Sequence, residues 1–266
     1  MILIDQARAL ATRKQVLATL VRRDLRVRYA RSVLGYLWTI LDPLAMAMVY
    51  FVVFTKILKA RQTGFPPYIL FLLVGLLAWQ WFSQSMTETA RALLSEAKLV
   101  RSTNLPRELW VVRVVIAKGI EFLFSLPVLV AFFLYYLVQG EAHLHWAIVL
   151  FPIGIVMQFL LIVGLGLILA PVTTLVTDTS RVVRIVLRMG FYATPVLYSI
   201  HNAPKSLRIV LAFNPMTGVT ELYRAGFWSD QIQVLPVAIG AVLTVVTLAV
   251  GVVVFRRLEP AILKEI

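Results

Sequence analysis

VLPVAIGAVLTVVTLAVGVVVFRR, residues 234–257, carries no charged side chain until Arg256–Arg257. A stretch near the ~20 apolar residues that cross a bilayer as a helix reads as a membrane span. The basic pair at its end marks the cytoplasmic side. Working outward from it, five further apolar stretches fall at 36–58, 67–88, 110–138, 146–176 and 182–200, with this one running over 232–255. The basic residues between them alternate in density. The first 34 residues carry Arg8, Arg13, Lys14, Arg22, Arg23, Arg26, Arg28 and Arg31, and the second connection carries Arg91, Lys98, Arg101, Arg107, Arg113 and Lys118. Arg181, Arg184, Arg188, Arg256, Arg257 and Lys264 fall on the same side of the alternation. Lys56, Lys59, Arg61, Lys205, Arg208 and Arg224 fall on the other. The positive-inside rule then places both termini in the cytoplasm. The expected fold is an all-α membrane protein with six transmembrane helices.

With 60% hydrophobic and 15% charged residues, a chain of 266 residues has too little polar surface to be a soluble domain. The formal charge of +13 therefore reads as topology and anionic-lipid contact rather than nucleic-acid binding. There is no cysteine, which excludes disulfides and thiolate metal sites. The beginning of the chain lacks the basic and apolar regions of a cleavable signal, so the first span is expected to act as its own.

One domain is expected over 1–266, with a cytoplasmic amphipathic segment (1–34), a membrane body (35–255) and a cytoplasmic tail (256–266). In the first segment Thr12 and Gln15 form a capping-box pattern. On a helix, Leu10, Leu17, Leu20, Val21, Leu25 and Val27 gather on one face, with Arg22, Arg23 and Arg26 opposite. Asp24 and Arg28 interrupt the stripe and stand at i,i+4, where they could pair. Such a helix suits the cytoplasmic leaflet interface or a docked extension. Residues 89–109 form the longest inner connection, with helix propensity over 90–100 and a break at Asn104–Leu105–Pro106.

Glu121 lies about 12 Å deeper than Arg113 along the third span. A carboxylate there must face protein or water. It lines a conduit or pairs with Lys118, three residues earlier. His143 and His145 have no third ligand in sight, so no metal is expected. After residue 200 the chain is too broken to span: Asn214–Pro215 reads as an N-cap with proline at the first helical position. The two short pieces suggest a re-entrant hairpin between the fifth and sixth spans, which requires protein cover. No phosphate-binding Gly-Lys loop is present, and no Ser/His/Asp set or acidic pair suggests bond chemistry. With one clear intramembrane carboxylate there is little for an ion relay, so energy for transport is expected from another subunit. The spans hold many aromatic residues, including Tyr50, Phe54, Trp79, Trp81 and Phe82, whose faces suit sugar C–H surfaces as well as packing.

RDLRVRYARSVLGYLWTILDPL (23–44), NLPREL (104–109), FYATPVLYSI (191–200) and FNPMTGVTELYRAGFW (213–228) stand in this order. Together they resemble the motifs of ABC-2 type permeases that export polysaccharides and polyol phosphates. Leu105 stands where those permeases usually have phenylalanine. The resemblance implies a homodimer paired with two ATP-binding cassette subunits, which would hold ATP and Mg while this chain holds no cofactor and is no enzyme. It implies a lipid-linked polysaccharide substrate, of O-antigen, teichoic-acid or cell-wall galactan type, leaving the cytoplasm across a bacterial inner membrane. A drug or small-lipid exporter, or a membrane enzyme on polyprenyl-linked sugars, are the alternatives. It implies roles as well: Arg22, Arg23, Arg26 and Arg28 guide the lipid pyrophosphate, and Leu94, Glu96, Lys98 and Arg101 form the coupling helix toward the ATPase. Tyr50, Phe54, Trp79, Trp81 and Phe82 line the conduit, with Glu121 as the intramembrane charge. Tyr198, Asn214, Pro215, Glu221 and Arg224 belong to an extracellular gate.

Overall fold

The computed structural model describes residues 13–30, 32–57, 64–103 and 105–265. The expected cap at Thr12, most of the loop at 59–66, and Asn104 lie outside them. Ten α-helices and no strand occur among the described residues. They are α1 (Lys14–Tyr29), α2 (Trp38–Phe51), α3 (Tyr68–Thr89), α4 (Ala97–Ser102), α5 (Glu108–Val138), α6 (Leu150–Leu175), α7 (Thr179–Ala193), α8 (Lys205–Ala212), α9 (Pro215–Arg224) and α10 (Val234–Glu265). Short 3-10 turns precede α2, α4 and α6, and a π-turn (Val52–Ile57) extends α2.

Among the described residues, five helices are long and apolar enough to cross a membrane: Gly35–Phe54, Tyr68–Thr89, Glu108–Val138, Trp146–Leu175 and Val234–Glu265. The sixth stretch expected, at 182–200, is built differently. Its helix, α7, has 15 residues and carries Arg181, Arg184 and Arg188. At 1.5 Å per residue it is roughly 22 Å long, short of the ~30 Å hydrocarbon core. The last helix runs unbroken through Arg256 and Arg257 to Glu265, so no break separates membrane body from tail.

The central helix is α3. Residues 69–78 are buried without a gap, as expected of a helix apolar on all sides. Paired contacts give the directions. Trp81 stacks on Phe122 while Lys118 reaches Gln84, so α5 runs antiparallel to α3. Gln158 bonds to the carbonyl of Ala78 and Gly166 meets Thr89, so α6 runs parallel to α3. Gly240 meets Met157 and Gly251 meets Gly164, so α10 runs parallel to α6. A Cβ on Gly251 would collide with the Gly164 carbonyl. Such close approach through small residues is how membrane helices associate.

The α1 helix packs on α5. Val21 is buried, with Leu17 and Leu20 packed beside it. Val27, expected on the same apolar face, is 68% exposed. The stripe that meets α5 is instead Leu17, Val21, Asp24 and Arg28, whose i, i+4, i+7, i+11 spacing is a true helical face. Asp24 and Arg28 do not pair with each other; each takes partners on α5.

Candidate functional site

A cavity of about 810 Å³ opens between α2, α3, α5 and α7. Tyr50, Trp79, Trp81, Phe122, Phe191 and Tyr192 line it together with Gln80, Gln84, Glu88, Lys118 and Glu121. Phe191 stacks on Tyr50 at 5.8 Å and meets Trp79 edge-on at 5.8 Å. Trp81 is 4% exposed and lies stacked on Phe122, so it forms packed wall. Of the five aromatics expected to face a conduit, Tyr50, Trp79 and Trp81 line this cavity; Phe54 and Phe82 do not. Phe54 meets Tyr50 and Tyr68, and Phe82 packs against Trp79. Phe191 and Tyr192 had no assigned role in the sequence because α7 reads there as plain span.

At one end of the cavity two cations and two carboxylates interlock. Arg28 lies 2.6 Å from Glu88 and 2.8 Å from Glu121. Lys118 lies 3.0 Å from each of the same carboxylates and 2.9 Å from the Gln84 amide oxygen. Glu121 pairs with Lys118, one of the two readings, and its side of α5 also lines the cavity. Burial pulls on Arg28, but Glu88 and Glu121 outweigh it and raise its pKa further. Tyr29, next along α1, is pushed up by burial and by Glu121.

A second set of four sits one turn back along α1. Arg113 reaches Asp24 at 3.1 Å and Glu96 at 3.3 Å, and Arg23 also bonds Glu96. Burial raises the Asp24 pKa against the pull of Arg113. Glu96 thereby ties the connection 92–103 to α1 and α5. Its neighbours Leu94, Lys98 and Arg101 are exposed. Among the four arginines expected to guide an anion, Arg23 and Arg28 are committed to carboxylates, while Arg22 and Arg26 are exposed.

Beyond the cavity's other end residues 194–199 are not helical, and all but the half-buried Tyr198 are buried. Three of their carbonyls accept hydrogen bonds from side chains. Arg224 donates to Pro195 at 2.6 Å and Val196 at 2.9 Å, and Tyr68 donates to Leu197 at 2.8 Å. The Arg224 guanidinium also sits 3.6 Å from the Phe71 ring centre. Asn214 accepts from the Met216 N–H at 3.0 Å with Pro215 at the helix start, as the sequence suggested, and donates to Thr194 at 2.8 Å. Residues 216–224 of α9 are all buried, while α8 is largely exposed. Glu221 accepts from the Gln233 N–H at 3.1 Å, and the Tyr198 hydroxyl donates to Tyr192 at 3.1 Å.

Helices alone among the described residues, five of them long and apolar enough to span, around an aromatic and charged cavity define a multi-pass membrane protein. Residues 15–228 match the ABC-2 type transporter family, and the chain belongs to it. It is therefore the membrane subunit of a transporter rather than an enzyme. It is 33% identical to the O-antigen export system permease protein RfbA of Myxococcus xanthus over 235 residues, 86% of each chain. It is 29% identical to the RfbA protein of Klebsiella pneumoniae over 244 residues, 92% of each. It is 27% identical to the polysialic acid transport protein KpsM of Escherichia coli over 260 residues, 94% of this chain and 96% of that one.

Proposed function

We propose that this chain is the permease of an ATP-driven exporter that moves a lipid-linked polysaccharide, of O-antigen or capsular type, across the bacterial inner membrane. The relatives' printed roles support the substrate class, and the cavity carries the reading on physical grounds. Its aromatic wall offers sugars faces to slide along, and its polar groups suit hydroxyls. A cavity without such aromatics would have favoured an exporter of drugs or small lipids.

Two copies of this chain work with two ATP-binding cassette subunits, which hold ATP and Mg. The directions of the helices support six crossings with both termini cytoplasmic. Because α6 and α10 run parallel, the chain must return between them, and α7 with residues 194–199 makes that return. Irregular backbone is tolerated in a membrane only under protein cover, and Arg224 and Tyr68 supply it. The hairpin α8–α9 then lies on the outer side as a gate.

The connection 92–103 receives the ATPase. Leu94, Lys98 and Arg101 face outward for that contact. A push on them travels through Glu96 to Arg23 and Arg113, and so moves α1 against α5. One turn on, the same motion strains Arg28 on Glu88 and Glu121, which opens the cavity's cytoplasmic mouth. The test is ATP hydrolysis by the complete transporter. Lipid-linked glycan should stimulate it, and Glu96→Gln should leave basal hydrolysis while abolishing the stimulation. Equal loss of both would remove the coupling route.

A further inference from the structure

Among the charges that line the cavity, those of α7 stand apart. Arg184 and Arg188 are one helical turn apart and both line it. Neither forms an ion pair with a described carboxylate. Glu88 and Glu121 are already occupied by Arg28 and Lys118. Asp42, the remaining carboxylate on the cavity, stands on α2 and pairs with neither arginine.

Both residues are exposed rather than packed into the protein. The start of α7 is fixed beside the end of α3, where Arg91 donates to Ser180 at 3.3 Å. Arg188 is eight residues further on, about 12 Å of helical rise inward. An exposed arginine at that depth faces a cavity filled by water or a ligand, and so marks a pathway or a binding site. One turn beyond, Phe191 meets Tyr50 and Trp79. Two guanidinium forks therefore sit directly before an aromatic wall.

We infer that Arg184 and Arg188 form an anion site for a phosphate or diphosphate group, held at the cavity mouth while the attached chain lies along the aromatics. Guanidinium matches phosphate oxygens in paired hydrogen bonds, and the two forks address adjacent phosphates. This rests on the exporter reading for its biological ligand, but the site is defined by chemistry that can be tested separately. It also places an anion site on α7, apart from Arg23 and Arg28 of α1, which already hold carboxylates.

The experiment measures binding of radiolabelled farnesyl diphosphate to the complete transporter in phosphatidylcholine nanodiscs. R184Q and R188Q should each weaken binding about tenfold, the loss expected for one charge-assisted pair. R184K and R188K should recover only part of it, since an ammonium cannot fork. R181Q, whose side chain does not line the cavity, should bind like the parent and controls for folding. Inorganic pyrophosphate competes equally if the source is a free anion, and weakly if the source is a lipid headgroup. Unchanged binding in the double variant R184Q/R188Q, or no binding by the parent, overturns the site. Arginine-dependent binding in a transporter whose ATPase ignores lipid-linked glycan keeps the site and removes the exporter reading. Glycan-stimulated ATPase with arginine-independent binding does the reverse.

Discussion

The Nη1 atom of Arg113 lies 3.1 Å from Asp24 Oδ1, joining two helices whose residues are 89 positions apart. The arginine side chain is 4% exposed and also holds Glu96. This contact helps to seat the amino-terminal helix on α5, with its two inward charges neutralised.

Arg113→Met should leave Asp24 and Glu96 without their shared cation. Removing one partner from a buried ion network costs about 3–5 kcal/mol. Thermal unfolding of the purified permease, followed by size-exclusion fluorescence, should show a clear fall in midpoint. A midpoint within a degree of the parent would mean that α1 is held by its apolar contacts alone.

The connection to the ATPase separates into an outer and an inner part. Lys98→Glu with Arg101→Glu should reduce copurification of the ATP-binding subunit several-fold without lowering permease yield. Glu96→Gln should keep the ATPase bound, because its side chain faces Arg23 and Arg113. If Glu96→Gln lost the partner as completely as the double charge reversal, the inner link would be part of the docking face instead.

Arg224→Met should strand the carbonyls of Pro195 and Val196. An unsatisfied buried acceptor costs about 1–3 kcal/mol, so the pair gives a strongly destabilised protein. Arg224→Lys should rescue little, since one ammonium does not reproduce two parallel bonds. Gly75→Ala should fail in the same way: its Cβ would meet Arg224 at 2.8 Å and the Val196 carbonyl at 3.0 Å. Full yield of Arg224→Met would show that the crossing closes without this clamp.

The aromatics divide by role. Trp81→Ala should lower stability by about 3–5 kcal/mol, as for a large core truncation. Trp79→Ala should spare folding more and reduce glycan-stimulated hydrolysis relative to basal hydrolysis. Matched losses of stability in the two variants would make Trp79 a packing residue.

Much of this was legible in the sequence where one residue dictates its own surroundings. Apolar length marked the five long helices, Asn214–Pro215 marked the start of α9, and the i,i+3 spacing of Glu121 and Lys118 offered their pair as one of two readings. The misreadings came from partners distant in the chain. Asp24 and Arg28 looked like flaws in an apolar stripe because their partners, Arg113, Glu88 and Glu121, lie 60 or more positions away. Residues 182–200 form one apolar stretch of which only the first part is helical, because hydropathy does not show where a helix stops. The stop at Ala193 is stable only because Arg224 and Tyr68 satisfy the carbonyls that follow. Phe54 and Phe82 could not be told from Tyr50 and Trp79 by composition, since the direction each faces is set by the helices around α3.

The most direct test is to purify the chain from its native membrane and assay ATP hydrolysis with and without lipid-linked glycan. The account predicts a stoichiometric ATP-binding subunit and hydrolysis that rises when the glycan is added. A permease that purifies without any ATPase, or with one indifferent to the glycan, would contradict it.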